Sequence, residues 1–330
     1  MIDAGCGPDE LLEAAVLAGG IDRVACLGPR PEWLDPAVRL RQEPRQRRPL
    51  LLGRRRRLER IETTRVVTWS AAVGRPCPQG LVLRRLAWGP ADAAAVADMQ
   101  ADGHRPTVVL SCDADRAAAQ ASGVAAEVIP PLAVELLCTG RQELRRRLGL
   151  GEATFAVAAP APVDGGSNHK LAVWATAVLS VAQYDVRLLI PAWGRAAQAA
   201  WRFAQEAGFG DRVTPVSEVE SPADMLAAAD AVALLHESGP PPVMLATALL
   251  AGRPVVAVRT ARAESCLTHE QDALLAEPTP RGVSHALFRL LDEPALGPRL
   301  AQAGAERARR LWAPGVVLPQ WRPLLEASAG

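Results

Sequence analysis

Leu250-Ala251-Gly252-Arg253-Pro254-Val255-Val256-Ala257-Val258 closes a helix-like segment that runs from Val243 to Ala251 and opens a short, uniformly apolar run from Pro254 to Val258. The alternation recurs outward along the chain. Upstream lie strand-like runs at Ala231–Leu235, Val186–Ile190 and Phe155–Ala158, with helix-like segments Ala223–Ala229, Ala196–Ala207 and Leu171–Ala182 between them. Further runs stand at Ala126–Ile129, Thr107–Leu110, Arg65–Trp69 and Arg23–Leu27. Short strands that are apolar throughout are buried on both faces, and helices between them supply the cover. The fold class expected is α/β, with a doubly wound parallel sheet built twice.

At 330 residues the chain has the length of two domains. Pro130-Pro131 stops the strand ending at Ile129, and a new strand begins at Phe155. Between them Arg141–Leu148 reads as a short charged surface helix. The expected division is 1–135, 136–311 and a final segment 312–330, which carries Pro314 and Pro319 and ends in a short helix. Only Met1-Ile2 precedes Gly5-Cys6-Gly7, so the first strand of the N-terminal domain reads as stunted or as beginning upstream of Met1.

Apolar residues make up 49% of the chain, enough for packed cores and too many for disorder. A formal net charge of +1 gives no global signal for nucleic acid. The six cysteines are scattered without CxxC spacing, which argues against zinc and for a reduced, cytoplasmic setting. Cys26 and Cys112 read as buried thiols. No basic region followed by an apolar stretch opens the chain, so no signal peptide is expected. The uncharged windows Leu171–Tyr184 and Ser238–Gly252 are shorter than the roughly 20 residues of a spanning helix.

The C-terminal half resembles the group 1, family 4-like glycosyltransferases. Leu250–Ala257 is similar to that family's A-x-G-x-P-V-V-A. Glu264 and Asp272-Ala273-Leu274-Leu275 follow where the family has E…N-G-L-L-V, and Leu290–Pro294 is similar to L-L-x-D-P. Upstream, Leu188–Gly194 looks like the strand ending in G-x-G, and Asp211–Val213 with Asp224–Asp230 looks like R-V…Y-x-x-A-D. Ser111–Asp115 with Val128–Pro131 is similar to the family's S-x-x-x…V-I-P-N-G, so the likeness covers residues 105–310. It implies a GT-B architecture, two Rossmann-like domains facing a cleft. It also implies a nucleotide-diphosphate sugar bound mainly by the C-terminal domain, and a final segment that returns to the N-terminal one.

Diphosphate sites on such folds use glycines and a helix N-terminus, because small residues admit the phosphates and the amide groups and helix dipole favour negative charge. The candidate is Asp164-Gly165-Gly166-Ser167-Asn168-His169-Lys170, between the strand at Phe155 and the helix at Leu171. Ser167 or Asn168 is suited to cap that helix. Lys170, the only lysine in the chain, is suited to pair with phosphate. An ordinary capped turn with a solvated lysine is the bland alternative. The family's arginine and lysine positions fall on Pro162 and Ser167, so phosphate binding is rearranged here or lost.

The family's E-x7-E, which contacts sugar and ribose, counts back onto Thr247 and the neighbourhood of Gly239, with Glu237 and Ser238 adjacent. His236 and Glu237 read equally as a surface loop. On the acceptor side Thr68, Trp69 and Ser70 stand where the family often has D-V-V-H-x-H, and both histidines are missing. No group of histidines has metal-ligand spacing, and no G-x-S-x-G occurs. The basic run Arg39–Arg60 is a solvated face or an attachment to anionic lipid; it has no interleaved aromatics, which disfavours nucleic acid.

The leading expectation is a hexosyltransferase that moves sugar from a nucleotide diphosphate to a hydroxyl on a glycan or lipid-linked acceptor. The resemblance implies retention at the anomeric carbon, no metal and no cofactor beyond the co-substrate sugar nucleotide. It is expected in the cytoplasm, at the inner face of the membrane if lipid-attached. The alternatives are an inactive scaffold or regulator, favoured by three altered motifs, and a sugar-nucleotide epimerase.

Overall fold

The computed structural model describes residues 24–26, 40–42, 66–68, 81–101, 103, 105–133, 135, 140–160, 166–192, 195–216 and 222–326. The chain divides into two compact units, Met1–Leu132 with Pro314–Gly330, and Ala133–Ala313.

In the first unit β1 (Val24–Cys26) pairs in parallel with β2 (Leu40–Gln42). A separate four-stranded parallel sheet has the order β3 (Val66–Thr68), β4 (Leu81–Arg84), β5 (Thr107–Leu110), β6 (Ala126–Val128). Helices α1 (Pro90–Ala101) and α2 (Asp113–Ala121) alternate with its strands, and Leu83, Trp88, Val96, Met99, Val108 and Leu110 form one core cluster. Strand β4 was not legible in the sequence because it is only four residues long and ends in arginine. Arg84 is fully buried, and its guanidinium donates to the carbonyls of Leu110 (2.7 Å), Ile129 (2.6 Å) and Pro130 (3.1 Å). It also lies 5.2 Å from the ring centroid of Trp321, on the last helix, Pro314–Glu326.

The second unit begins with α3 (Arg141–Arg147) and contains a six-stranded parallel sheet. In chain order its elements are β7 (Phe155–Ala158), α4 (His169–Val181), β8 (Val186–Pro191), α5 (Arg195–Glu206), β9 (Val213–Val216), α6 (Pro222–Ala228) and β10 (Ala231–Leu234). They continue with α7 (Pro242–Leu250), β11 (Val255–Val258), α8 (Ala261–Cys266), β12 (Leu274–Ala276), α9 (Pro280–Asp292) and α10 (Leu296–Trp312). Strand order is β12-β11-β10-β7-β8-β9. Pro215 lies in β9, at the edge of the sheet, where a residue without an N–H is tolerated. That proline also concealed the strand in the sequence.

Both faces of this sheet are covered, as all-apolar strands require. Along β7, Val157 and Ala159 join one core cluster with Val173, Leu179, Ala200 and Leu287, whereas Ala156 and Ala158 join another with Leu144 and Met225. Thr260 caps α8 by accepting from the amide of Ala263 at 3.1 Å, and Thr279 caps α9 by accepting from that of Gly282 at 3.0 Å.

Helix α3 corrects the expectation of a surface helix. Leu144 is fully buried and Arg145 only 9% exposed. Arg145 donates to Asp230 Oδ2 (3.0 Å) and to the carbonyls of Ala228 (3.0 Å), Gly151 (2.9 Å) and Thr154 (2.6 Å). Asp230 also accepts from Arg141 at 2.5 Å and from the amide of Ala156 at 2.8 Å. The charged appearance of the helix concealed a buried junction between the end of α6 and the start of β7. Cys112 is buried, as read from the sequence; the side chain of Cys26 lies outside the described residues.

Candidate functional site

The order β12-β11-β10-β7-β8-β9 has one reversal. From β7 the chain winds to β8 and β9, then crosses back to place β10 on the other side of β7. The C-terminal ends of β7 and β10 stand side by side there, and such switch points are where open α/β sheets bind ligands. The Gly-Gly-Ser-Asn segment follows β7, and His236–Pro241 follows β10. The two candidates, separated by some seventy residues, therefore meet because of strand order.

Hydrogen bonds join them. The amide of Glu237 donates to the carbonyl of Gly166 at 3.0 Å, and Asn168 Nδ2 donates to the carbonyl of Leu235 at 3.0 Å. Asn168 sits at the N-cap of α4 in the left-handed region, φ 54°, which asparagine tolerates better than most residues. Asn168, the N-cap residue of α4, makes no side-chain capping bond, which corrects the expectation for that residue. The Asn168 amide instead ties the loop to β10, while Ser167 Oγ lies 2.7 Å from His169 Nδ1.

The loop after β10 is held from α8. Arg262, buried on α8, donates to the carbonyl of Ser238 at 2.6 Å, and the amide of Gly239 donates to that of His236 at 3.0 Å. Gly239 has φ 101°, and a Cβ there would stand 2.7 Å from Thr260 Oγ1 and 2.8 Å from Arg262 Cβ. Only glycine fits. Gly239→Ala is expected to lose about 1–3 kcal/mol of stability through backbone strain and the clash. A denaturation midpoint within error of wild type would refute this account of the turn.

Gly166, Ser167, Asn168, Glu237, Ser238 and Gly239 thus share one end of the sheet. Glu237 and Ser238 are exposed, but His236 is buried, so the loop is not wholly surface. Lys170 is exposed on the first turn of α4, with Nζ 5.5 Å from the ring centroid of Phe203 on α5. Thr247 lies inside α7 at 1% exposure, among residues that are nearly all buried. Thr68 is the last residue of β3 and pairs with Leu83. Gly165, Trp69 and Ser70 lie outside the described residues, as does Arg39–Arg60 apart from the backbone of Leu40–Gln42. His169, Thr260 and Arg262 were not singled out from the sequence; only Thr260, three residues ahead of the amide it caps, left a local signal. Among the described residues no group of three or more potential metal ligands occurs, and no helix is long and apolar enough to cross a membrane.

Residues 166–293 match the family described as glycosyl transferases group 1. Solved structures resemble the whole chain. HepE of Anabaena, solved in complex with UDP-glucose, has a TM-score of 0.78 at 16% identity, with 99% of each chain covered. Sucrose-phosphate synthase of Thermosynechococcus elongatus has a TM-score of 0.73 at 19% identity, covering 99% of this chain and 96% of its own. WaaG, a glycosyltransferase involved in lipopolysaccharide biosynthesis, has a TM-score of 0.71 at 14% identity, covering 99% and 100%. No curated protein matches at a significant level. The fold is that of the GT-B glycosyltransferases. The segment that matches that family's model, residues 166–293, contains Gly166–Asn168 and Leu235–Gly239 of the switch-point site.

Proposed function

We propose that the protein transfers a hexose from a nucleotide-diphosphate sugar to a hydroxyl of a glycan or lipid-linked acceptor. The observation that carries this reading is the junction of Gly166–Asn168 with Leu235–Glu237 at the switch point, inside the segment that matches the glycosyltransferase family. The diphosphate would lie against the segment Gly165–Asn168 and the N-terminus of α4, with Glu237, Ser238 and Gly239 toward the sugar and ribose. Thr68, Trp69 and Ser70 stand on the acceptor side of this reading. Retention and metal-free chemistry enter with the resemblance, as does the absence of any cofactor beyond the co-substrate. Catalysis would then rest on positioning and on stabilising the departing diphosphate.

Lys170 belongs to the proposal through a comparison of magnitudes. An exposed cation–π contact is worth about 0.5–1 kcal/mol, and a hydrogen bond to a charged group about 1.5–3. The ammonium gains by leaving Phe203 for a phosphate. Thermal unfolding with a panel of nucleotides and nucleotide sugars, run in chelator, tests the donor site. Ligand at 100 times its dissociation constant adds about 2.7 kcal/mol, a shift of several degrees. Lys170→Ala should weaken binding about tenfold. No shift with any nucleotide series would overturn the reading.

The burial of Thr247, at the position where the family has a carboxylate, favours a second reading: a relative that binds the donor without turning it over. Stabilisation by a nucleotide sugar that is neither transferred nor hydrolysed would select it. An epimerase would instead isomerise its sugar nucleotide without an acceptor. Attachment of Arg39–Arg60 to the inner membrane face of the cytoplasm is part of the proposal, and equal sedimentation with anionic and neutral vesicles would sink it.

A further inference from the structure

His169 is the first residue of α4 and is buried at the end of the sheet. Its Nε2 lies 3.1 Å from the carbonyl oxygen of Ala159, directly after β7, and its Nδ1 lies 2.7 Å from Ser167 Oγ. A carbonyl only accepts, so Nε2 carries a proton, and in the neutral ring Nδ1 accepts from the serine hydroxyl. Ala159 is itself held, because its amide donates to the carbonyl of Leu189 at 2.9 Å and so extends the ladder between β7 and β8. A continuous chain of hydrogen bonds therefore runs from the rigid sheet through the imidazole to the hydroxyl in the middle of the loop. On the other side Gly166 and Asn168 are tied to β10. Successive loop residues are anchored alternately to the two strands that flank the switch point.

We propose that His169 is a positioning residue for the donor: with Ser167 it forms a clasp that fixes the backbone of Gly166–Asn168 before the nucleotide sugar arrives. The proposal rests on the reading of this loop as the diphosphate site, and it gives Ser167 a role different from direct phosphate contact. Ser167 is 4% exposed and its oxygen is engaged by the imidazole, so its hydroxyl is a brace and the backbone faces the ligand. A glycine-rich loop is the segment that most needs such a brace, because glycine loses the most conformational freedom on ordering. Fixing the loop in advance spares the ligand that ordering cost.

The two ring nitrogens can be tested separately. The side-chain amide of asparagine stands near the position of Nδ1 and retains the link to Ser167. That of glutamine reaches toward the position of Nε2, retaining Ala159 and losing Ser167. Ser167→Ala, His169→Gln and His169→Asn are compared by calorimetric titration with UDP-glucose and by amide exchange over 166–170 in the ligand-free protein, with α9 as the internal reference. Ser167→Ala and His169→Gln should each weaken binding about five- to tenfold and speed loop exchange without changing α9, the loss expected for one hydrogen bond. Combined, the two should cost little more than either alone. His169→Asn, which keeps Ser167 and loses Ala159, should lose as much as His169→Gln because the clasp needs both links, and unchanged exchange in α9 controls for folding. The clasp is overturned if either His169→Gln or His169→Asn binds the donor as tightly as wild type, or if loop exchange is the same in wild type and the variants. Should wild type bind no nucleotide sugar at all, the functional reading falls, and the exchange data still decide whether the clasp exists.

Discussion

Arg145→Met should lower the stability of the second unit by about 2–6 kcal/mol, the cost of leaving two buried carbonyls without a donor. Methionine keeps much of the apolar volume, so the loss isolates the guanidinium. Four acceptors lose a donor together: Asp230 Oδ2 and the carbonyls of Ala228, Gly151 and Thr154. Arg141 still faces Asp230, so the carboxylate keeps one cation. The carbonyls of Ala228 and Thr154 are the larger part of the penalty, since an unsatisfied buried acceptor costs about 1–3 kcal/mol, whereas that of Gly151 keeps the amide of Thr154. Arg145→Lys should recover only a fraction, because an ammonium is a compact point charge and cannot span a planar fork of acceptors. Calorimetric unfolding of the three proteins is the measurement. A loss below about 1 kcal/mol for Arg145→Met would mean that water replaces the guanidinium and that the junction is not dry.

Arg84→Leu should have a comparable effect in the first unit, about 3–5 kcal/mol, with a second consequence. The carbonyls of Leu110, Ile129 and Pro130, at the ends of β5 and β6, lose the guanidinium, while that of Leu110 keeps the amide of Ile129. Trp321 loses the cation over its ring at the same time, a contact worth up to about 2 kcal/mol where water is excluded. The helix Pro314–Glu326 is held to its unit partly through that contact. Amide exchange over 314–326 should therefore accelerate more than exchange in α1 or α2. Uniform acceleration across the unit would mean that Arg84 supports the sheet and not the docking of the last helix.

These two arginines mark where reading the sequence failed. Of the eight strands expected, all eight appear, most within a residue or two of their expected ends, because each is a run of apolar residues with a local signature. The missed strands β2, β4, β9 and β12 are short or carry arginine or proline, which dilutes that signature. Arg145 read as surface charge and Arg84 was not singled out, since nothing local distinguishes an arginine in water from one that meets several distant carbonyls. At the site, Gly166, Ser167, Asn168, Glu237, Ser238 and Gly239 were legible from glycines, small polar residues and the spacing of the resemblance. His169 and Arg262 were not, because their partners lie on other elements.

The sequence by itself determined which segments are strand and helix, that the sheets are parallel and covered on both faces, and that glycine-rich turns stand after particular strands. Apolar period, proline and glycine act within a few residues, so they can be read in order along the chain. Tertiary structure alone decided that β10 lies beside β7, and with it that a loop at 166–168 meets another at 235–237. It also decided that Ser167 faces an imidazole, that Asn168 ties two strands and does not cap its helix, and that Thr247 is sealed inside α7. Strand order and hydrogen-bond partnership depend on which distant surfaces pack together, and that information is carried by no single stretch of chain.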